Sequence, residues 1–136
     1  MFSPDLENYL KQTLVPIRLA VQNETGWPVV LSLWYIYHQD HTYCATQESA
    51  RVTGWLRKDA RCAFEIASDR PPYCGLRGQA RAFLEPQHGE HILRLLLQRS
   101  SREVAIRLDP INHFTWNYRE RMKESPGADI NKSCPE

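Results

Sequence analysis

Between Val29 and Tyr37 the chain reads Val-Val-Leu-Ser-Leu-Trp-Tyr-Ile-Tyr, apolar or aromatic on both sides of an extended backbone and interrupted only by Ser32. Successive side chains of a strand point to opposite faces. A strand of this kind must therefore be covered on both faces or pass through the wall of a barrel. It is far too short for a membrane-spanning helix, which needs roughly 20 residues. Turn chemistry brackets it, with Asn23-Glu24-Thr25-Gly26 before and Gln39-Asp40-His41 after. Upstream, Ile17-Arg18-Leu19-Ala20-Val21-Gln22 alternates, with Ile17, Leu19 and Val21 on one side. Residues 17–22 and 29–38 thus make a β-hairpin, and 42–46 a further strand.

The remaining elements are short. Ser3 as N-cap, Pro4 in the first helical position and Asp5 in the first turn open a helix over 3–14, with Leu6, Tyr9, Leu10 and Leu14 as its apolar stripe, ended by Pro16. Ser49 caps a second helix that carries Val52, Trp55 and Leu56. Strands follow at 62–67 and 74–85, the latter with Gly75 and Gly78 marking a bulge or a close backbone approach. A helix from Pro86 to Arg99 buries Ile92, Leu93, Leu96 and Leu97. Val104–Leu108 and Phe114–Tyr118 read as strands on either side of an Asp109-Pro110 turn. The polar stretch after Arg119 holds Pro126, Gly127 and Pro135; residues 1–122 form the domain and 123–136 a mobile tail. The reading gives roughly six strands and three helices. Consecutive short-linked strands pair antiparallel, and six of them close into a small barrel: a mainly β fold, the six-stranded antiparallel barrel.

Composition narrows the function. With 136 residues the chain is one domain, and 42% hydrophobic content supplies a core. Lys+Arg 17 against Asp+Glu 16 leaves a formal charge of +1, no field for gripping nucleic acid or an anionic membrane. The N-terminal residues show no secretory pattern, so a cytoplasmic protein is expected. Cysteines 44, 62, 74 and 134 contain no Cys-x-x-Cys pair, which argues for reduced thiols and against zinc. His88-Gly89-Glu90-His91 has the wrong spacing for a helical metal pair, and no metal is expected. Walker, Gly-x-Gly-x-x-Gly and Gly-x-Ser-x-Gly motifs are absent.

Thr46, Ser49 and Arg51 stand where a strand ends and a helix begins. Two hydroxyls, a cation and the N–H groups of a helix start suit a phosphate; the same residues serve equally as an N-cap and a solvated helix residue. Leu31-Ser32-Leu33-Trp34-Tyr35 either packs in the core or offers strand edge and aromatic surface to a flat ring.

In order and spacing these pieces resemble the pyridoxamine 5′-phosphate oxidase-like family, the flavin-binding split barrels. The resemblance runs over residues 15–122 through Ile17-Arg18-Leu19-Ala20, Thr25-Gly26-Trp27-Pro28-Val29 and Tyr43-Cys44-Ala45-Thr46. It continues in Ser49-Ala50-Arg51-Val52 and Leu56-Arg57-Lys58-Asp59-Ala60-Arg61, where Ala60 replaces the family's usual Pro. Leu76-Arg77-Gly78-Gln79-Ala80, Trp116-Asn117-Tyr118 and Arg121-Met122 complete it.

The resemblance implies a homodimeric split barrel with two FMN sites shared across the subunit interface, acting as an oxidoreductase on a small molecule. It implies that Thr46, Ser49 and Arg51 hold the phosphate, that Ser32, Leu33 and Trp34 face the isoalloxazine, and that the partner's Trp116 flanks it. A deazaflavin coenzyme in the same groove and a non-catalytic flavin- or haem-binding module are the alternatives. The family's oxidases carry an Arg and a Lys in the second strand and finish on Arg-Leu-x-Pro. Leu31–Ile36 has neither residue, and Arg107-Leu108-Asp109-Pro110 is followed by a long further stretch. Both departures argue against pyridoxamine phosphate as substrate, and no catalytic residue is assigned.

Overall fold

The computed structural model describes residues 2–85, 89–97 and 103–118. Helix α1 (Pro4–Gln12) starts as its sequence dictates: Ser3 Oγ accepts a hydrogen bond from the Leu6 N–H at 3.3 Å, and Pro4 takes a position that needs no donor. Leu6, Tyr9 and Leu10 form its buried side. The helix stops at Gln12, ahead of Pro16, so Leu14 lies outside the stripe expected of it and is 90% exposed.

Strands β1 (Ile17–Gln22) and β2 (Pro28–Leu33) pair antiparallel across the Asn23–Gly26 turn. Trp34 interrupts the strand expected from 29 to 38. Beyond it, β3 (Tyr35–His38) pairs with β4 (His41–Gln47) instead of β1. Helix α2 (Arg51–Lys58) leads into β5 (Arg61–Ala67) and β6 (Cys74–Leu84), then α3 (Gly89–Leu97) and β7 (Glu103–Asn117). The expected turn at Asp109-Pro110 is absent, because β7 runs straight through it. The register against β6 slips between Gln79 and Ala80, so Ala80 pairs with Pro110 while Gln79 pairs with Asn112. A bulge is where a strand tolerates a residue without an N–H.

Splitting one expected strand at Trp34 and fusing two through Pro110 leaves seven strands, where the barrel expected from sequence has six. They form one mainly antiparallel sheet in the order β2-β1-β5-β6-β7-β4-β3. Its two edges, β2 and β3, are consecutive in the chain and joined by Trp34 alone, so the sheet has to curl until they meet there. The curl encloses Ile17, Leu19, Ile66, Leu76, Ile106 and Leu108, all fully buried, with α1 packed against them. Ile92 and Leu93 of α3 pack on Ala45 and Ala105 from the opposite side of β4 and β7. Around Ala45 and Ala105 those two strands are therefore covered on both faces. β2 is not: Val29, Leu31 and Leu33 lean on the core while Val30 is 69% exposed. The two-sided cover expected of this segment is not supplied within one chain.

Cys44 and Cys62 are free and buried. Cys74 is disulfide-bonded, a correction to the expectation of a reduced cysteine at that position. Among the described residues no helix is long and apolar enough to cross a membrane, and no group of three or more His, Cys, Asp or Glu side chains gathers as a metal site. The tail at 123–136, Arg121-Met122 and His88 lie outside the described residues.

Candidate functional site

At the seam of the sheet, a groove of about 450 Å³ is lined by Pro16, Ser32, Leu33, Trp34, Ala45, Thr46 and Gln47. It forms because the β2–β3 segment changes partner at Trp34, opening a wedge between the end of β2 and the end of β4. Four of the seven residues singled out by sequence (Ser32, Leu33, Trp34 and Thr46) meet here. The Trp34 indole is 61% exposed, and its own backbone belongs to neither the β1–β2 nor the β3–β4 ladder. An aromatic face, a hydroxyl from each side and unladdered backbone are suited to a flat heterocycle with polar edges.

The other three lie elsewhere. Ser49 is exposed in the turn before α2 and does not cap it: the N-cap is Ala50, which contributes no side-chain hydrogen bond. The helix is tethered instead by Thr53 Oγ1, which donates to the carbonyl of Gln47, a groove residue, at 3.0 Å. Arg51 is exposed on the first turn, which contains no acidic residue. The first N–H groups of α2 thus have no side-chain acceptor, the condition under which a helix start attracts an anion. Trp116 is half-buried on β7 opposite Gly75 and does not line the groove of its own chain.

A concavity larger than this groove, about 580 Å³, lies on the outer face of the sheet and was not anticipated from sequence. Its floor is small, with Ala20, Ala63 and Gly78. Along one side Arg18, Glu65, Arg77 and Phe114 follow one another in register across β1, β5, β6 and β7. Arg18 reaches Asp69 at 3.1 Å. The Arg77 guanidinium lies 5.1 Å from the Phe114 ring centroid and 5.5 Å from that of Trp116, within cation–π range. The signal for this row is strand register, which one sequence does not display.

Two carboxylates sit near these features. Glu24, in the β1–β2 turn, accepts a hydrogen bond from Trp55 Nε1–H. Bonds from its own backbone N–H and from Trp55 hold its carboxyl below the ordinary glutamate range, helped by Arg51 and Lys58. Asp59, bonded by Arg61, is held down to about 2.

No family model matches the sequence, and no curated protein is similar to it in sequence. Solved structures are similar in fold, and the fold they share is that of the pyridoxamine 5′-phosphate oxidase-like split barrels. The conserved hypothetical protein Rv2991 of Mycobacterium tuberculosis superposes with a TM-score of 0.73 at 16% identity, over 89% of this chain and 88% of that one. A pyridoxamine 5′-phosphate oxidase candidate of Listeria innocua gives 0.66 at 17% identity, over 82% and 91%. An FAD-binding protein of Mesorhizobium loti gives 0.67 at 17% identity, over 85% and 94%. The same fold occurs in an F420 reductase, with a TM-score of 0.65 at 14% identity over 83% and 98%. HutZ, the haem storage protein of Vibrio cholerae, gives 0.64 at 17% identity over 82% and 92%.

Proposed function

We propose that this chain is a flavin-binding protein of the split-barrel type, an FMN-dependent oxidoreductase acting on a small molecule. The observation that carries the reading is the convergence of Ser32, Leu33, Trp34 and Thr46 on one groove. Trp34 and the β2 backbone would hold the ring system, and Thr46, Ser49 and Arg51, at the start of α2, would hold the phosphate. A bound flavin supplies the redox chemistry. The chain's own part is to orient it, to meet its charge with Arg51 and to limit access of water.

A second copy completes the site. The outer face of β1, β2, β5, β6 and β7 leaves Val30, Phe114 and Ile111 exposed at 69%, 56% and 61%, more apolar surface than a lone small domain keeps open. Two such faces meeting as a homodimer cover β2 on its second side and bring Trp116 of one subunit to the groove of the other. Pyridoxamine phosphate is not the substrate proposed, since Leu31–Ile36 lacks the Arg and Lys of that enzyme's second strand.

A deazaflavin is the second reading, supported by the F420 reductase of the same fold; it takes the same groove. The visible spectrum of purified protein, with mass spectrometry of what denaturation releases, separates the two. Arg51→Ala weakens FMN binding by roughly 1.5–3 kcal/mol through loss of a charge-assisted contact, tenfold or more in Kd. Unchanged affinity removes Arg51 from the site. A colourless protein that binds neither added cofactor overturns the reading, leaving the fold in place.

A further inference from the structure

Helix α2 carries Arg51, Arg57 and Lys58 and no acid. The carboxylates that balance it come from outside: Glu48 reaches Arg57 at 3.5 Å, and Glu24 arrives from the β1–β2 turn. Glu24 is bonded to Trp55. Residues 51, 55 and 58 share one helix face, since side chains three and four apart are neighbours. The Glu24 carboxylate therefore lies against the same face as Arg51 and within its electrostatic reach.

The turn that delivers Glu24 is rigid. Asn23 Oδ1 accepts from the Thr25 N–H at 3.0 Å, from Thr25 Oγ1 at 2.9 Å and from the Trp27 N–H at 2.9 Å. Gly26 closes it at φ +83°, with its N–H on the Asn23 carbonyl at 3.0 Å. Glu24 is thus fixed at both ends, by the turn behind it and by Trp55 ahead. A carboxylate held this way is more than a passing surface charge.

We infer that Glu24 is a resident anion that competes with an incoming phosphate for Arg51, and that it sets how strongly the site discriminates phosphorylated from unphosphorylated ligands. The inference rests on the flavin reading for the identity of the ligand, and only on α2 and its turn for the competition. A phosphate reaching Arg51 meets the negative charge of Glu24, while a ligand without phosphate does not. The penalty is Coulombic and acts near the surface, so it weakens with added salt.

The test compares FMN with riboflavin on wild-type protein and Glu24→Gln at low salt. The substitution keeps the side-chain length and an oxygen acceptor for Trp55 but removes the charge, and the position is exposed, so the fold is not at risk. FMN affinity is expected to rise about tenfold in Glu24→Gln, riboflavin affinity to stay constant, and the FMN gain to shrink in 0.5–1 M salt, where the screening length falls to a few ångströms (~3 Å at 1 M). An unchanged FMN-to-riboflavin ratio overturns the inference and leaves the flavin site intact. If neither flavin binds either protein, the flavin reading fails by itself, and inorganic phosphate decides the competition. Phosphate then shifts the Trp55 indole N–H resonance, assigned by its loss in Trp55→Phe, and the shift reaches its midpoint at lower phosphate concentration in Glu24→Gln than in the wild type. Equal midpoints, or no shift in either protein, overturn the inference by that route also.

Discussion

Two glycines show how position decides the sign of the same substitution. A Cβ built on Gly78 would stand 2.2 Å from the Asn112 carbonyl oxygen, beside the slip in register between β6 and β7. Gly78→Ala is expected to cost about 1–3 kcal/mol by overpacking. Gly54, in the middle of α2, has nothing within 4 Å, so Gly54→Ala should stabilise by about 0.5–1 kcal/mol through helix propensity. Urea titration of both variants checks the pair, and a neutral Gly78→Ala would refute the close approach.

The thiols make a second prediction at this scale. Burial pushes Cys44 up to about 12 and Cys62 up to about 11, against an ordinary value of 9.0. Burial raises the Tyr9 and Tyr35 phenols likewise. In each case the folded chain favours the protonated form. That contribution is complete below about pH 9 and is lost as pH climbs toward 11–12. Unfolding free energy should therefore be level from neutrality to about pH 8.5 and fall above it, with Cys44 and Cys62 inert to a thiol reagent at pH 8 until the chain is unfolded. Stability that holds steady through pH 11 would contradict the burial.

Among the elements, α1 is fastened to the sheet by phenols as much as by its leucines. Tyr35 Oη donates to the Leu10 carbonyl at 2.9 Å, Tyr37 Oη to Glu7 Oε1 at 3.0 Å and Tyr9 Oη to the Cys74 carbonyl at 3.3 Å. Tyr35→Phe should cost about 1 kcal/mol and speed amide exchange in α1 ahead of the sheet. Uniform change across both would mean that the helix is not a separate unit. The start of α1, with Ser3 and Pro4, was legible because capping and helical period are local. Its end was not, since Leu14 fits the period but finds no surface to cover. The split at Trp34 and the fusion of the last two strands through Pro110 were illegible for another reason: both depend on which strand lies alongside. Ser49 failed as a cap because the Gln47–Ala50 turn places Ala50 there. Thr46 was singled out because a strand ends there, and Ser32, Leu33 and Trp34 through the family resemblance; that the four line one groove depends on strand pairing. Glu24 was missed because a turn residue carries no periodicity.

For the whole molecule the decisive quantity is what covers β2. Its alternating residues read as a strand buried on two sides, yet one side stays open in the single chain. Sedimentation at micromolar concentration is expected to give a dimer, and Phe114→Glu on the outer face to give a monomer with impaired cofactor retention. A monomeric wild type would undo the shared site as well as the assembly.

The placement of β7 has a bearing on how the chain comes to be folded. β7 lies between β6 and β4, yet it is the last of these strands to leave a ribosome. Until Glu103–Asn117 has emerged, the nascent chain holds two unfinished pieces, β2-β1-β5-β6 and the β3-β4 hairpin, leashed to one another at Trp34. Neither piece can bury the apolar face that the finished curl encloses, and a two-stranded hairpin such as β3-β4 is marginal by itself. Insertion of the central strand is a long-range event and correspondingly slow. The interval before it is when this protein is most exposed to aggregation and most dependent on chaperones.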